Sequence, residues 1–195
     1  GPTGEGEIGL YDLIKSGVRH RPDYIVVGEI RGAEAYVMFQ AMATGHGGLC
    51  TMHADSLESA GKRLQQKPMD IPPSYLSLMN CAIIIRRVKG QDGKSTRKAI
   101  SVQEINSADS YHSAFDWDPK SDFFNAQLDD SVMLNRIAVQ TGRNMEDILD
   151  EYEKRKIILK WLLERGIRSY AKVAENIGKY YRDPETMLKK IEYGG

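Results

Sequence analysis

Between residues 23 and 55 the chain reads DYIVVGEIRGAEAYVMFQAMATGHGGLCTMHAD, and its chemistry rests on Glu29, Arg31 and His53. Glu29 and Arg31 follow the apolar run YIVV, and His53 follows a second apolar stretch, LCTM. A carboxylate at the tip of a buried strand can hold Mg²⁺ through water, or polarise a water that attacks a phosphate. A histidine at the tip of the next strand can contact a terminal phosphate or position that water. The competing reading is structural, with Glu29 ion-paired to Arg31 and His53 a satisfied histidine at a strand end.

Other candidates in the window are weaker. His46, Cys50 and His53 have a spacing that suggests a metal site. Cys50 and His53, however, lie three apart on a short strand and so face opposite sides, and no fourth ligand is evident. Gly45, Gly47 and Gly48 read as backbone punctuation, because the order here is helix to strand, whereas phosphate loops run from strand to helix. His20 and His112 have no neighbours that raise them above surface histidines.

Alternating strands and helices are expected to position these groups. Residues 8–18 have apolar positions near helical spacing, with Asp12 early, and Pro22 ends that helix. Residues 24–27 read as a fully buried strand of a parallel sheet, short and β-branched. Residues 33–44 have helical content with Gly45 as stop. Residues 49–52 form a second strand, and Ser56 N-caps a helix reaching about residue 66. Pro68, Pro72 and Pro73 break the chain. Residues 81–88 and 98–105 read as paired strands joined by a Gln91-Asp92-Gly93-Lys94 turn.

From Tyr111 the character changes. An aromatic segment, YHSAFDWDPKSDFF, precedes helix candidates at 131–141, 144–165, 169–181 and 184–193. Gly142, Gly166 and the Asp183-Pro184 pair punctuate them. In the second of these, acids lead and bases follow, as the helix dipole favours. Its apolar face is expected to hold Met145, Ile148, Leu149, Tyr152, Leu159, Leu162 and Leu163. The expected division is residues 1–107 as an α/β core and 108–195 as a helical bundle without an active site.

Composition sets loose bounds. The 195 residues are 41% apolar and 28% charged, an ordinary globular mix. Lys+Arg and Asp+Glu both number 27, and zero net charge argues against broad capture of nucleic acid. Two cysteines, Cys50 and Cys81, are too few for a disulfide framework and suit a reducing cytoplasm. No apolar run approaches the roughly 18 residues of a membrane span, and the start carries no basic-then-apolar signal. The opening Gly1-Pro2-Thr3-Gly4 reads as a cleavage scar or the edge of an excised fragment.

DYIVVGEIRGAEA followed by TGHGGLCTMHADS resembles the Walker B and histidine boxes of the type II/type IV secretion ATPase family, which drives pilus, archaellum, secretion and conjugation machines. RHRPDYIVVGEIRG, FDWDPKSDFF and RSYAKVAENIGKYYRDPETMLKKI resemble its archaeal members in particular. The resemblance implies a RecA-like P-loop NTPase core, a mostly parallel sheet with flanking helices, in a hexameric ring of identical subunits with ATP between them. By that resemblance Glu29 is the Walker B acid acting on the Mg²⁺–water shell, and His53 approaches the nucleotide phosphates. Arg19 matches an arginine reaching a neighbouring subunit's ATP, and Lys15 lies where bacterial relatives often carry another arginine. Arg31 supports Glu29. The implied partners are further copies of the chain and an inner-membrane platform protein, with no nucleic acid, at the cytoplasmic side of the membrane.

One departure limits the resemblance. No G-x-x-x-x-G-K-[ST] occurs in the chain, so the lysine and backbone cradle for the β- and γ-phosphates are absent from it. The expectation is the C-terminal portion of such an ATPase, inactive alone, with an apolar sheet edge and face left uncovered and hidden by dimerisation, segment exchange or disorder near residues 1–20. Two rival readings are an interaction module without chemistry and a DNA-transport motor of the conjugation branch.

Overall fold

The computed structural model describes residues 8–89, 93–108 and 110–193. The chain divides into two compact units, Gly1–Met133 and Leu134–Gly195.

In the first unit, α1 (Leu10–Val18) leads through a turn at Arg21, whose φ of 50° is left-handed, into β1 (Tyr24–Val27). Then come α2 (Glu34–Ala43), β2 (Gly47–Cys50), α3 (Leu57–Gln65) and the short α4 (Pro73–Leu76). β1 and β2 pair in parallel, Tyr24 opposite Gly47 through Val27 opposite Cys50. β3 (Cys81–Lys89), β4 (Ser95–Ser107), β5 (Ser110–Trp117) and β6 (Phe124–Ala126) form an antiparallel sheet in that order. The α/β class is as expected, and the paired strands at 81–88 and 98–105 are there, each longer than its pattern. Of the connecting turn, Gln91 and Asp92 lie outside the described residues, as do residues 1–4 of the opening.

The core of this unit gathers Ile14, Val27, Ile30, Met38, Phe39, Leu64, Ile71 and Leu76. Each such side chain contributes about 1.5–3 kcal/mol by leaving water. α2 is buried along Ala35, Val37, Met38, Phe39 and Ala41, and it closes one face of the β1–β2 pair. The other face is not closed. Tyr24 and Val26 are 68% and 71% exposed, so the strand read as fully buried is buried on one side only. That open side borders an apolar groove of about 270 Å³ lined by Leu10, Leu13, Tyr24 and Val26 among others.

Three further expectations are corrected. The second strand begins at Gly47 rather than Leu49, because glycine here meets a packing demand. A Cβ on Gly48 would come within 2.6 Å of Met42 Sδ and 2.9 Å of Met38 Cε. The aromatic segment from Tyr111 is largely strand, since β5 pairs with β4 and adds to the sheet. For the same reason the division expected after residue 107 falls inside one sheet, and the units part at Met133 and Leu134.

The start of α5 (Val132–Thr141) is fixed by a buried acid on β4. Glu104 accepts from Ser131 Oγ at 2.8 Å, from the Val132 N–H at 2.6 Å and from the Met133 N–H at 3.2 Å. It therefore satisfies helix N-terminal donors that a local cap usually serves.

The second unit contains α6 (Met145–Glu164), α7 (Tyr170–Arg182) and α8 (Pro184–Glu192). Asn144 caps α6 by accepting from the Asp147 N–H, and Asp183 caps α8 from the Thr186 N–H. The Asn144 cap is worth about 1 kcal/mol. The buried residues of α6 are Ile148, Ile158, Trp161 and Leu162, and the last three pack with Tyr180 and Met187. Leu159 and Leu163, expected inside, are 57% and 63% exposed because α7 and α8 cover the neighbouring stripe. The Tyr180 hydroxyl donates to Glu151 at 2.9 Å, and burial together with that bond pushes its phenol up to about 12. Among the described residues no helix is long and apolar enough to cross a membrane.

Replacing Glu104 by Ala should strand the α5 donors and lower stability by about 2–3 kcal/mol in urea denaturation. Glu104→Gln keeps one acceptor oxygen and should lose less.

Candidate functional site

Parallel pairing brings the ends of β1 and β2 to the same edge, and two hydrogen bonds continue the pairing beyond the strands. The Ile30 N–H donates to the Thr51 carbonyl at 3.0 Å, and Thr51 Oγ1 donates to the Gly28 carbonyl at 2.5 Å. Glu29 is thereby set beside the segment that carries His53. His53 Nε2 lies 3.4 Å from Glu29 Oε1, and an Arg31 guanidinium nitrogen donates to Glu29 Oε2 at 2.5 Å. The Glu29 side chain is 26% exposed and the His53 ring 82% exposed, so the acid is half sheltered and the histidine faces solvent.

Around this cluster the loops are fixed from several directions. Glu34, at the start of α2, accepts from the backbone N–H groups of Arg31 and Gly32 at 2.6 and 2.8 Å. Burial raises the Glu34 carboxyl, but those backbone donors outweigh it and hold the group below its ordinary value. Beyond His53, Ser56 and Ser59 form a reciprocal cap at the start of α3. Arg63 of α3 donates to the His53 carbonyl at 2.6 Å, and Arg86 of β3 donates to the Asp55 carbonyl at 3.0 Å.

Electrostatics follow from these neighbours. The Arg31 hydrogen bond holds the Glu29 carboxyl below its ordinary value of 4.5, against partial burial, and the charges of Arg31, His53 and Arg63 add to the effect. Glu29 is therefore ionised over the whole neutral range. Arg31 and Arg63 bring positive charge to Glu29, and the Glu29 and Glu34 carboxylates balance them.

Of the residues singled out from sequence, Glu29, Arg31 and His53 come together. Arg19 and Lys15 do not join them. Arg19 caps α1, at the entrance to β1 rather than at its exit, and Lys15 lies 5.9 Å over the Tyr11 ring. His46 Nδ1 donates to the Ala41 carbonyl at 3.1 Å and so closes the end of α2, where Gly45 has a φ of 97° that favours glycine. Among the described residues no group of three or more His, Cys, Asp or Glu is placed to hold a metal. His112 is more than a surface histidine, since its Nε2 donates to the Gln127 carbonyl at 2.7 Å. Thr51, Glu34, Arg63 and Arg86 were not singled out, because their partners are backbone groups that no motif announces.

A single carboxylate fits Mg²⁺, which keeps several waters and takes one or two protein carboxylates beside substrate phosphates. With Arg31 on one Glu29 oxygen and His53 by the other, the fit is through water rather than by direct ligation.

Fold and site thus define an α/β domain with an acid and a histidine at the ends of adjoining parallel strands. The family described as Type II/IV secretion system protein matches residues 3–115, more than half of the chain, and the chain belongs to that family. An uncharacterized protein of Methanocaldococcus jannaschii is 38% identical over 162 residues, covering 80% of this chain and 59% of the relative. A second from the same organism is 34% identical over 189 residues, covering 91% of this chain and 34% of the relative. A type IV secretion system protein of Bordetella pertussis is 30% identical over 95 residues, 43% of this chain and 28% of the relative. The chain therefore spans between about a quarter and three-fifths of the length of these relatives.

If Arg31 depresses the Glu29 carboxyl, Arg31→Gln should move its titration up toward 4.5, read by carbon NMR of the side-chain carboxyl. For a carboxyl lowered by folding, the stabilising contribution is fully present above the unfolded value near 4.5 and is lost as pH falls through the folded value. The acid limb of the stability profile should accordingly shrink in Arg31→Gln.

Proposed function

We propose that this chain is part of an ATP-hydrolysing motor of a secretion or pilus machine, with Glu29 and His53 among its hydrolytic groups. The observation that carries this is the 3.4 Å approach of His53 Nε2 to Glu29 Oε1 at the ends of two in-register parallel strands. Family membership and the boxes in that order support it.

The chain's own residues suggest a division of labour. A carboxyl held ionised by a guanidinium is a weak proton acceptor, so Glu29 acts by charge and orientation rather than by taking a proton outright. It orients water at the site, while Arg31 keeps it charged and aimed. Bound Mg²⁺ would neutralise charge on the nucleotide phosphates. His53, exposed and beside Glu29, is free to meet the terminal phosphate or the attacking water. Arg19, at the opposite end of β1, would reach a neighbouring copy's nucleotide and stabilise charge on its phosphates, as an arginine supplied in trans can. The β- and γ-phosphate cradle comes from a segment other than these 195 residues, which contain no G-x-x-x-x-G-K-[ST]. Protein cargo and a membrane platform partner complete the proposal, and zero net charge favours these over a nucleic-acid track.

Two assays test it. The purified 195-residue chain should hydrolyse ATP at background rate, and a clear rate lost on Glu29→Gln would contradict an external cradle. In the longer protein that supplies the cradle, Glu29→Gln should lower turnover by about 100-fold or more with nucleotide binding retained. Unchanged turnover there would remove Glu29 from the mechanism.

A further inference from the structure

The His53 ring is 82% exposed, so packing does little to place it beside Glu29. Its position is set through the backbone. Two arginines from separate elements grip the segment that follows β2. Arg63, in the last turn of α3, donates to the carbonyl of His53 itself, and Arg86, on β3 of the antiparallel sheet, donates to the carbonyl of Asp55. The Ser56 cap fixes the next residue. A guanidinium is suited to this, because its donors lie in a rigid planar fork on a long reach.

We propose that Arg63 and Arg86 are positioning residues that hold His53 in register with Glu29 by clamping the carbonyls of the 53–55 turn. As a statement about catalysis it rests on the ATPase reading above. As a statement about geometry it does not, and the test uses that difference. Each arginine acts through His53 rather than on a substrate. Arg63 adds a second effect, since its charge helps keep the Glu29 carboxyl below its ordinary value. The clamp also ties the site to both sheets: His53 follows the parallel pair, whereas Arg86 belongs to the antiparallel one.

The test is spectroscopic and needs no nucleotide. With ring-labelled histidine in the 195-residue chain, Glu29→Gln should shift the His53 ring resonances, because the two side chains are neighbours. In an Arg63→Gln or Arg86→Gln background that response should fall by more than half, since the ring no longer keeps its place. Arg63→Lys, which can still donate to the carbonyl, should restore most of it. Both arginines are exposed, so the amide spectrum of α1, α2 and β4, in the same unit as the site, should stay unchanged and confirm the fold; should one Gln variant unfold, the other supplies the readout. A His53 response to Glu29→Gln that is undiminished in the folded Gln variants would overturn the clamp. Loss of the response without turnover in the longer protein would leave the clamp standing and sink the hydrolytic reading alone.

Discussion

Everything at the site depends on the parallel pairing of β1 and β2. Parallel neighbours end on the same side, so whatever follows each strand emerges at a common edge. In register from Tyr24–Gly47 to Val27–Cys50, the pair places Glu29 and the segment leading to His53 within reach of one another. The Ile30–Thr51 and Thr51–Gly28 hydrogen bonds carry that registration past the regular strands. An antiparallel partner, or a slip of one residue, would separate the two groups or turn their side chains to opposite faces.

Around that edge the charges are arranged unevenly. One carboxylate is met by Arg31, by His53 and by the field of Arg63, so it stays ionised. The neighbouring acid, Glu34, is spent on backbone donors at the start of α2 and does not compete for the same cations. The result is a carboxylate held in place and kept ionised by its guanidinium neighbour, and so a weak proton acceptor.

The site was legible in the sequence to the extent that it is local. Tyr24–Val27 ending in Gly28-Glu29 announced a strand and its acid, and Ser56 announced a helix start, because strand propensity and capping are properties of neighbouring residues. What depended on distant partners was not legible. Tyr24 and Val26 read as buried from their apolarity, yet their exposure depends on what covers the second face. Gly47 and Gly48 read as punctuation, and only the approach of Tyr24, Met38 and Met42 shows why a strand needs glycine there. Residues 111–117 show no two-residue alternation, with Ala114 alone fully buried, so β5 is defined by its pairing with β4 rather than by its own pattern. On α6 the apolar residues outnumber those that one face can hold, so periodicity alone did not separate Ile158 and Trp161 from Leu159 and Leu163. Arg63 and Arg86 act on carbonyls of residues 53 and 55, a link no spacing encodes.

The most direct measurement of the central claim is paramagnetic broadening by Mn²⁺ bound with ATP to a protein in which this chain follows a G-x-x-x-x-G-K-[ST] segment. If Glu29 and His53 face the nucleotide phosphates, the His53 ring and Glu29 carboxyl resonances should broaden strongly while His112, bonded to Gln127 on the antiparallel sheet, stays sharp. Sharp His53 and Glu29 signals at saturating nucleotide would contradict it and place the nucleotide elsewhere.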